Sequence, residues 1–437
     1  MRARLILGWL VVLTMVAAIG YAQEAPVRRL SLAEALDIAR RNNPDYLTYM
    51  NNRAPAASRA FNSTVTLFTP NVSISAGQQW FRAGVYNLQG LSFPTPKTSQ
   101  NGWNLNFSYL LSGTTIATRG LSAAQLHAAD EDIAGYRTVL ETSVKQEYIN
   151  LLEARAQADL AEHVVNRAQE LLNLAQARYG VGQGTMIDVR RAQVDKGTAD
   201  VQLLQARQNV DVEVLKLYRL LGVPAPEPPH VEPTDTFPVL QPAYNQDSLV
   251  GLALDANPVL RALRARETAA RWNTGAAYST YLPSLQVSAG YGRLSTTASD
   301  TTLSTTNPPW NLRLAISLPL FDAFQRNTQI SQARADQANM EQSIRARELQ
   351  VRADVSAAYL ALLTAFRTIA VQANNRTAAD EALSLATERY RVGSGSIIEL
   401  LDARVTSEQA GVSYINAVYD YHKAIAALEQ AVGQPLR

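Results

Sequence analysis

The chain contains no cysteine among its 437 residues. Disulfides, thiolate metal sites and a lipid anchor on an N-terminal cysteine are therefore excluded. Neither sign of charge is in excess, because 40 Lys and Arg stand against 38 Asp and Glu. A nucleic-acid-binding protein is usually far more basic, so we expect no nucleic-acid partner.

Motifs for catalysis and metal binding are also missing. The histidines are scattered without ligand spacing, and a solvated or capping role is expected for His127, His163, His230 and His422. Gly180, Gly182 and Gly184 alternate as in a dinucleotide fingerprint, but they follow a helical segment and not a strand. There is no nucleophile elbow, phosphate loop or zinc helix motif. We expect no enzyme activity, no cofactor and no metal.

Residues 1–22 have the pattern of a signal peptide. Arg2 and Arg4 precede a short apolar core, and Gly20-Tyr21-Ala22 is a small-x-small cleavage site. The core is shorter than the roughly 20 residues of a transmembrane helix. We expect cleavage and a mature chain starting near Gln23. We expect no later stretch to be apolar enough to span a bilayer as a helix, so membrane insertion would require a closed barrel.

The mature chain contains an internal duplication. Residues 23–222 and 247–437 share Asn-Pro near the start, a Trp-Asn-Leu motif, and a closing glycine at Gly222 and Gly433. Between the copies, residues 223–246 contain seven prolines. This density forbids a helix and predicts an extended connector.

Each copy switches between two periodicities. Apolar residues alternate with polar ones at 72–77, 103–111, 284–291 and 311–318, which predicts two strands per copy, each with one apolar face. The segments 79–102 and 293–309 are predicted to be polar, exposed loops. Aromatic residues are expected near strand ends, as in a membrane-interface girdle: Trp80, Trp103, Tyr291 and Trp310. The strand pattern alone favours a soluble hairpin instead, because the signal per strand is weak.

Long helices follow the strands. Residues 120–179 and 328–390 lack proline, as do their shorter partners 185–221 and 396–432. Sixty helical residues reach about 90 Å. Helices this long and only partly apolar cannot be buried in the core of one chain, so we expect an extended, oligomeric assembly.

A duplicated motif separates the helices of each pair. Residues 178–189 read RYGVGQGTMIDV, and 211 positions later the chain reads RYRVGSGSIIEL. Gly180, Gly182, Gly393 and Gly395 are candidates for the residue after a helix C-cap. Apolar residues recur around both turns and predict a docking surface for another helical tip. The candidate docking residues are Val181, Gly182, Gly184, Thr185, Val392, Gly393, Gly395 and Ser396, of which Thr185 and Ser396 are also N-cap candidates.

These features, in this order and in duplicate, resemble the TolC-like outer-membrane efflux proteins over essentially the whole mature chain. The resemblance implies an α+β membrane protein that forms a homotrimer in the outer membrane of a Gram-negative bacterium. Each chain would give four strands to one twelve-stranded, lipid-embedded barrel and its helices to a long coiled-coil tunnel across the periplasm. Such proteins are passive ducts of tripartite efflux or type I secretion, which a periplasmic adaptor and an inner-membrane transporter open and load.

The resemblance also implies roles at the tips. Glu399 and Asp402 match positions that form stacked carboxylate rings at the pore constriction, and Asp188 and Tyr390 match a latch between neighbouring tips. The arginine expected in that latch is replaced by Gly395, and Arg190 and Arg191 are candidates to substitute for it. The alternative function is a secreted periplasmic coiled-coil scaffold or adaptor without a pore.

Overall fold

The computed structural model describes residues 29–229, 231–298 and 310–436. The expectations for the signal peptide, for the start near Gln23 and for His230 lie outside these residues. The first half contains β1 (Arg29–Leu30), α1 (Leu32–Asn42), α2 (Pro44–Val65), β2 (Asn71–Phe81), β3 (Gly84–Leu88), β4 (Leu91–Thr95), β5 (Thr98–Leu111), α3 (Gly113–Gly180) and α4 (Met186–Leu221). The second half contains β6 (Glu232–Pro233), α5 (Gln246–Ala256), α6 (Pro258–Ser279), β7 (Ser284–Ala298), β8 (Trp310–Ser317), α7 (Gln325–Arg391) and α8 (Ile397–Val432).

The Asn-Pro motif and the closing glycine of each copy meet in space. Asn43 caps α2 by accepting a hydrogen bond from the Tyr46 amide, and its own side-chain amide donates to the Leu220 carbonyl at 2.9 Å. Gly222, which ends α4 with φ of 73°, lies so close to Asn42 that a Cβ there would come within 2.3 Å of the Asn42 carbonyl oxygen. Asn257 and Gly433 are arranged similarly in the second copy. The two motifs therefore join the beginning of each copy to its end.

The four long strands form one antiparallel sheet in the order β2-β5-β7-β8. Strands β5 and β7 pair from Thr98 with Ala298 to Leu111 with Leu285. The strands β2, β5 and β7 are longer than predicted. The segment 79–102 is not a loop, because β2 and β5 pair as far as Phe81 with Thr98 and a second hairpin, β3 with β4, lies between them. Residues 293–298 of the second predicted loop belong to β7, and residues 299–309 lie outside the described part. Polar residues pair as readily as apolar ones where both faces of a sheet are solvated, so composition did not reveal this extension.

Two helical hairpins, α3 with α4 and α7 with α8, make up about half of the chain. With 68 residues, α3 spans about 100 Å at 1.5 Å per residue. One apolar cluster joins α3 and α4 to the N-terminal segment, and a matching cluster joins α5 to α7 and α8. Much of the remaining helix surface is exposed in one chain, including Leu349, Leu360 and Val371 of α7.

One helix in the described part, α7, is long and apolar enough over part of its length to cross a bilayer. We expected no stretch after the signal peptide to be apolar enough to cross a bilayer, and this expectation was wrong. The reason is the density of alanine and leucine between Ala353 and Ala370, residues that also suit close helix packing. Along its length α7 packs on α8 and α6, so this composition fits helix contacts in the protein.

The proline-rich connector lies along both copies. Asp235 accepts hydrogen bonds from the Leu32 amide at 2.6 Å and from the Tyr148 hydroxyl at 2.9 Å. Phe237 packs edge-on against Tyr148 and also contacts His422. His422 is thus buried, which contradicts the solvated or capping role expected from sequence, whereas His127 and His163 are exposed. Burial lowers the pKa of His422.

Two glutamates face each other near this connector, Glu147 on α3 and Glu213 on α4. The pKa of Glu147 is raised to about 7, by burial first and then by the facing carboxylate of Glu213. Burial opposes ionisation of Glu213 too, but hydrogen bonds from Glu147 and Lys216 bring its pKa below the ordinary value. Lys216 donates to Glu213 at 2.7 Å, and Asn150 donates to Glu147 at 3.4 Å. The pair therefore binds one shared proton as the pH falls through about 7.

Candidate pore entrance and membrane sheet

Both duplicated motifs form the turn between two antiparallel helices. After the C-caps Val181 and Val392, the chain enters the left-handed region at Gly182, with φ of 76°, and at Gly393, with φ of 84°. Of the four glycines expected at such positions, only these two have positive φ. Gly180 is the last residue of α3, where any residue fits. This explains why its counterpart in the second copy is an arginine, Arg391.

Gly184 and Gly395 are required for a different reason. A Cβ at Gly184 would lie 3.2 Å from the Tyr179 nitrogen, and a Cβ at Gly395 would lie 3.0 Å from Cβ of Arg389. Because the chain folds back onto the preceding helix here, a side chain at either position would crowd it. An arginine at 395 would therefore require the end of the preceding helix to shift by a few tenths of an ångström.

The helices that leave the turns have different caps. Thr185 and Asp188 form a capping box at the start of α4: the Thr185 side chain accepts from the Asp188 amide, and Asp188 accepts from the Thr185 amide at 3.1 Å. Ser396 caps α8 by accepting from the Glu399 amide at 3.2 Å. The Glu399 carboxylate does not complete a box and pairs instead with Arg389.

Arg178 connects the two tips within the chain. Its guanidinium lies 4.6 Å from the centre of the Tyr390 ring. It donates to the Tyr390 carbonyl and, at 2.9 Å, to the Gln183 carbonyl of its own turn. A cation over a buried ring is worth about 1 kcal/mol or more. Arg178 is not among the site residues predicted from the sequence, although an arginine begins both motifs.

Tyr390 is buried in an apolar cluster that contains residues of all four long helices. Leu171 and Ala175 of α3 and Ala192 of α4 pack there against Tyr390 and Ile397. Burial raises the pKa of the Tyr390 hydroxyl, and the Asp188 carboxylate adds to this while Arg178 opposes it. Among the described residues, that hydroxyl is buried without a hydrogen-bond partner. The expected latch residues Asp188 and Tyr390 therefore lie near each other without a direct hydrogen bond.

The two carboxylates expected at the constriction have different surroundings in one chain. Glu399 and Asp402 are both exposed, but Glu399 is paired with Arg389 of its own hairpin. Asp402 lies in a groove of about 1260 Å³ between α4 and α8, which Arg190 and Arg191 also line. Arg190 donates to Gln193 at 2.9 Å, and no ion pair with Asp188 is found in the described ranges.

A buried ion pair forms part of the lining of this groove. Arg404 of α8 contacts Asp195 of α4, and its second nitrogen lies 3.3 Å from Glu408. The side chains of Arg404 and Asp195 are both nearly inaccessible to solvent. Burial raises the pKa of Asp195 despite the attraction of Arg404. The pair fixes the first hairpin against the second just beyond the tips.

The sheet has one apolar and one polar face. Ile74, Leu312, Leu314 and Ile316 are largely exposed on the apolar face. The opposite face carries Ser75, Asn104, Asn106 and Asn311, with glycines between them, and it lines an open concavity. A continuous apolar face that is exposed across several strands is atypical of a soluble monomer and indicates contact with lipid or protein.

Three of the four expected girdle aromatics meet on the apolar face. Tyr291 pairs with Trp310 across β7 and β8, and the Trp103 and Tyr291 rings are 5.7 Å apart. Trp103 and Tyr291 lie inside their strands and not near the ends, which corrects the expectation. The apolar face of β5 from Leu111 to Trp103 is about 27 Å long at about 3.4 Å per residue. At the tilt of about 35–45° found in outer-membrane barrels, this length spans a height of about 20 Å, which is most of their apolar band of about 25 Å.

The chain matches the family described as outer membrane efflux protein over residues 35–223 and 249–434. It belongs to this family. It is 25% identical to the outer membrane protein TolC of Vibrio cholerae over 434 residues, which cover 95% of this chain and 93% of that protein. Two solved structures are similar in fold: VceC of Vibrio cholerae (TM-score 0.77, 20% identity, 93% of this chain and 97% of that chain) and the CmeC outer membrane channel of Campylobacter jejuni (TM-score 0.79, 19% identity, 92% and 85%).

Membership of the family confirms several expectations from the sequence. The protein is an outer-membrane efflux channel with the duplicated α+β fold of trimeric channels, and it is not an enzyme. The family relationship supports a role in tripartite efflux or secretion and not the alternative of a scaffold without a pore. Within the described residues, no group of histidine and carboxylate side chains is arranged to hold a metal ion.

Proposed function

We propose that three copies of this chain form one exit duct across the outer membrane and the periplasm. The observation that carries the proposal is the four-stranded sheet, whose outer strands β2 and β8 have no strand partner on their free sides in the described part of the chain. An open edge with an exposed apolar face is an aggregation hazard unless it is paired. Pairing β8 of one copy with β2 of the next would close a barrel of twelve strands.

A twelve-stranded barrel would be open inside. Barrels of about eight strands are filled by their own side chains, and the diameter grows with strand number. The polar face with its asparagines and glycines would then line the lumen. The helical hairpins would extend the lumen across the periplasm as a passive tunnel, with the two tips of each chain at the far end.

The tips are the surface at which we place the partners. Val181, Ile187, Val392 and Ile398 are exposed around the two turns, and an apolar tip of this kind fits the helical hairpin tip of a periplasmic adaptor. The adaptor would link the duct to an inner-membrane transporter. The docking residues are those expected from the sequence, and they remain a proposal.

Two acidic residues of each chain would control the entrance. We assign Glu399 and Asp402 to carboxylate rings around the threefold axis, where their negative potential would favour cations. Asp188 and Tyr390 would take part in closing the entrance, with Arg190 and Arg191 near the same groove. Arg178, which contacts Tyr390 directly, is a further member of this closing contact.

The oligomer and the pore can be tested together. Detergent-solubilised outer membranes should yield a heat-resistant trimer that forms ion-conducting pores in planar bilayers. A soluble monomer recovered from the periplasm would contradict the proposal.

The carboxylate rings have a separate test. The double variant Glu399→Gln with Asp402→Asn should lose cation preference in single-channel recordings. The control is Glu162→Gln, which removes an exposed carboxylate of α3 that pairs with Arg207 well away from the turn. Selectivity that stays the same in the double variant would show that the rings do not control ion preference.

A further inference from the structure

The two hairpin tips are copies in sequence but differ in exposure. Tyr390 and Ile397 of the second tip are each 3% exposed, whereas the matching residues of the first tip, Tyr179 and Met186, are 45% and 44% exposed. The difference arises because the first hairpin covers the second within the chain. In one chain the equivalent surface of the first tip has no such cover.

One arginine makes the polar contacts by which the first hairpin covers the second. Arg178 lies over the Tyr390 ring and donates to the Tyr390 carbonyl, while its other nitrogen holds its own turn. Arg389 is the residue that matches Arg178. It reaches the Ser394 carbonyl of its own turn in the same way, at 3.5 Å, but its remaining nitrogen pairs with Glu399. The second hairpin therefore carries the same arginine as the first, but in the described part of the chain this arginine is exposed and bonds only to its own hairpin.

We propose that Arg389 of one copy contacts Tyr179 of the next copy, repeating between chains the contact that Arg178 and Tyr390 make within the chain. The inference rests on the trimer of the proposed function. In a ring of six hairpins, each first hairpin covers a second hairpin of its own chain, and each second hairpin covers the first hairpin of the neighbouring chain. The occupant of the exposed Tyr179 surface is thus a second copy of this chain.

The side chains needed for this contact are present. In the chain, Tyr390 packs beside Leu171, Ala175 and Ala192 of the first hairpin. The matching residues of the second hairpin are all alanines, namely Ala382, Ala386 and Ala403. Ala382 is exposed and Ala403 is partly exposed, so a tyrosine of the next copy can pack on these two, whereas Ala386 is already buried in the chain's own cluster around Tyr390.

Glu399 would allow the contact between Arg389 and Tyr179 of the next copy to form and break. Its counterpart Asp188 is one methylene shorter and is held by the Thr185 amide, so Arg178 is free to cross to the other tip. Glu399 reaches back to Arg389 and competes with the neighbouring copy for the same guanidinium. Arg389 therefore has two positions, one paired with Glu399 and one over Tyr179 of the next chain, and the second closes the joint between chains.

The absence of cysteine from the chain permits a direct test. The variant with Tyr179→Cys and Arg389→Cys is treated in the outer membrane with a short bis-maleimide. A linker is used because an arginine and the tyrosine it covers hold their Cβ atoms farther apart than a disulfide allows. The matched control carries Arg178→Cys and Tyr390→Cys, which should cross-link within the chain and leave it a monomer on denaturing gels.

We expect most chains of the first variant to become covalent dimers and trimers, and each single-cysteine variant to remain monomeric. A native trimer in which the control pair reacts but the Tyr179 and Arg389 positions do not would overturn the inference and leave the Tyr179 surface to another partner. Absence of any trimer in the untreated protein would instead refute the proposed function itself. The two failures are thus distinguishable.

Discussion

The buried pair of Arg404 and Asp195 offers the sharpest test of how the hairpins are held together. Replacing one member of a buried ion pair leaves the other charge without compensation and costs about 3–5 kcal/mol. In Asp195→Asn the amide still accepts a hydrogen bond, and Glu408 at 3.3 Å still neutralises part of the Arg404 charge. We therefore expect the local stability of the tip to fall by about 2 kcal/mol, below that range.

The loss of stability caused by the reciprocal substitution, of Arg404, should depend on pH. Arg404→Leu removes the cation that opposes the upward shift in the pKa of Asp195, so the pKa of Asp195 rises further. Protonation then relieves the buried charge, and the loss of stability should be smaller at pH 5 than at pH 8. The double variant Asp195→Leu with Arg404→Leu buries no charge and should be close to neutral, as other buried pairs are when both partners become apolar.

Hydrogen–deuterium exchange of the solubilised protein measures this locally. Peptides covering the first turns of α4 and of α8 should lose roughly 30-fold in protection in Asp195→Asn, because each 1.4 kcal/mol corresponds to about tenfold. The matched control is Glu162→Gln, which breaks the exposed pair with Arg207 and should cost at most about 1 kcal/mol. Equal effects of the two substitutions, or a double variant that is as unstable as the sum of the single ones, would refute the reasoning.

Two further predictions concern backbone and titration. Gly182→Ala should destabilise the first turn by about 1–2 kcal/mol, because an alanine is strained at φ of 76°, whereas Gly180→Ala in the last turn of α3 should be neutral or slightly stabilising in thermal melts. The pKa of Glu147 is raised in the folded state to about 7, so its stabilisation is fully present below its ordinary pKa and is lost as pH rises through 7. Because the carboxyl is half-buried, we expect Glu147→Gln to be more stable than the parent by only about 1 kcal/mol at pH 8 and equal to it at pH 5; a constant difference in melting temperature across this range would contradict the shared proton.

The elements that the sequence predicted well are those that local chemistry determines. The absence of proline over α3 and α7, the Asn-Pro starts and the glycine turns all act within a few residues, and the helices begin and end close to the predicted positions. The duplication added long-range information, because two copies with the same order of motifs need similar packing. Tyr148 and Tyr359, matched in sequence, both donate to backbone carbonyls near the start of their own copies.

The features that escaped prediction depend on contacts between distant segments. The burial of His422 requires Phe237 of the connector, and no local pattern places them together. The extension of β5 to Thr98 depends on pairing with β2 and β7. At the tips, the sequence drew attention to the acids and to the glycine at 395, but the side chain that contacts Tyr390 is Arg178, which lies 212 positions away.

The duplication also predicts which joints of the entrance, meaning the contacts between neighbouring hairpins, are weaker. Within the chain the two hairpins are held by the Arg178 contact and by the buried pair of Arg404 and Asp195. Between chains, the positions that match this pair are Gln193 and Thr406, which cannot form an ion pair. A joint between chains would then rest on the contact of Arg389 with Tyr179, for which Glu399 competes. The three joints between chains should therefore open before the three joints within chains, and an adaptor that offers a new partner to Arg389 or Tyr179 would act at the weaker set.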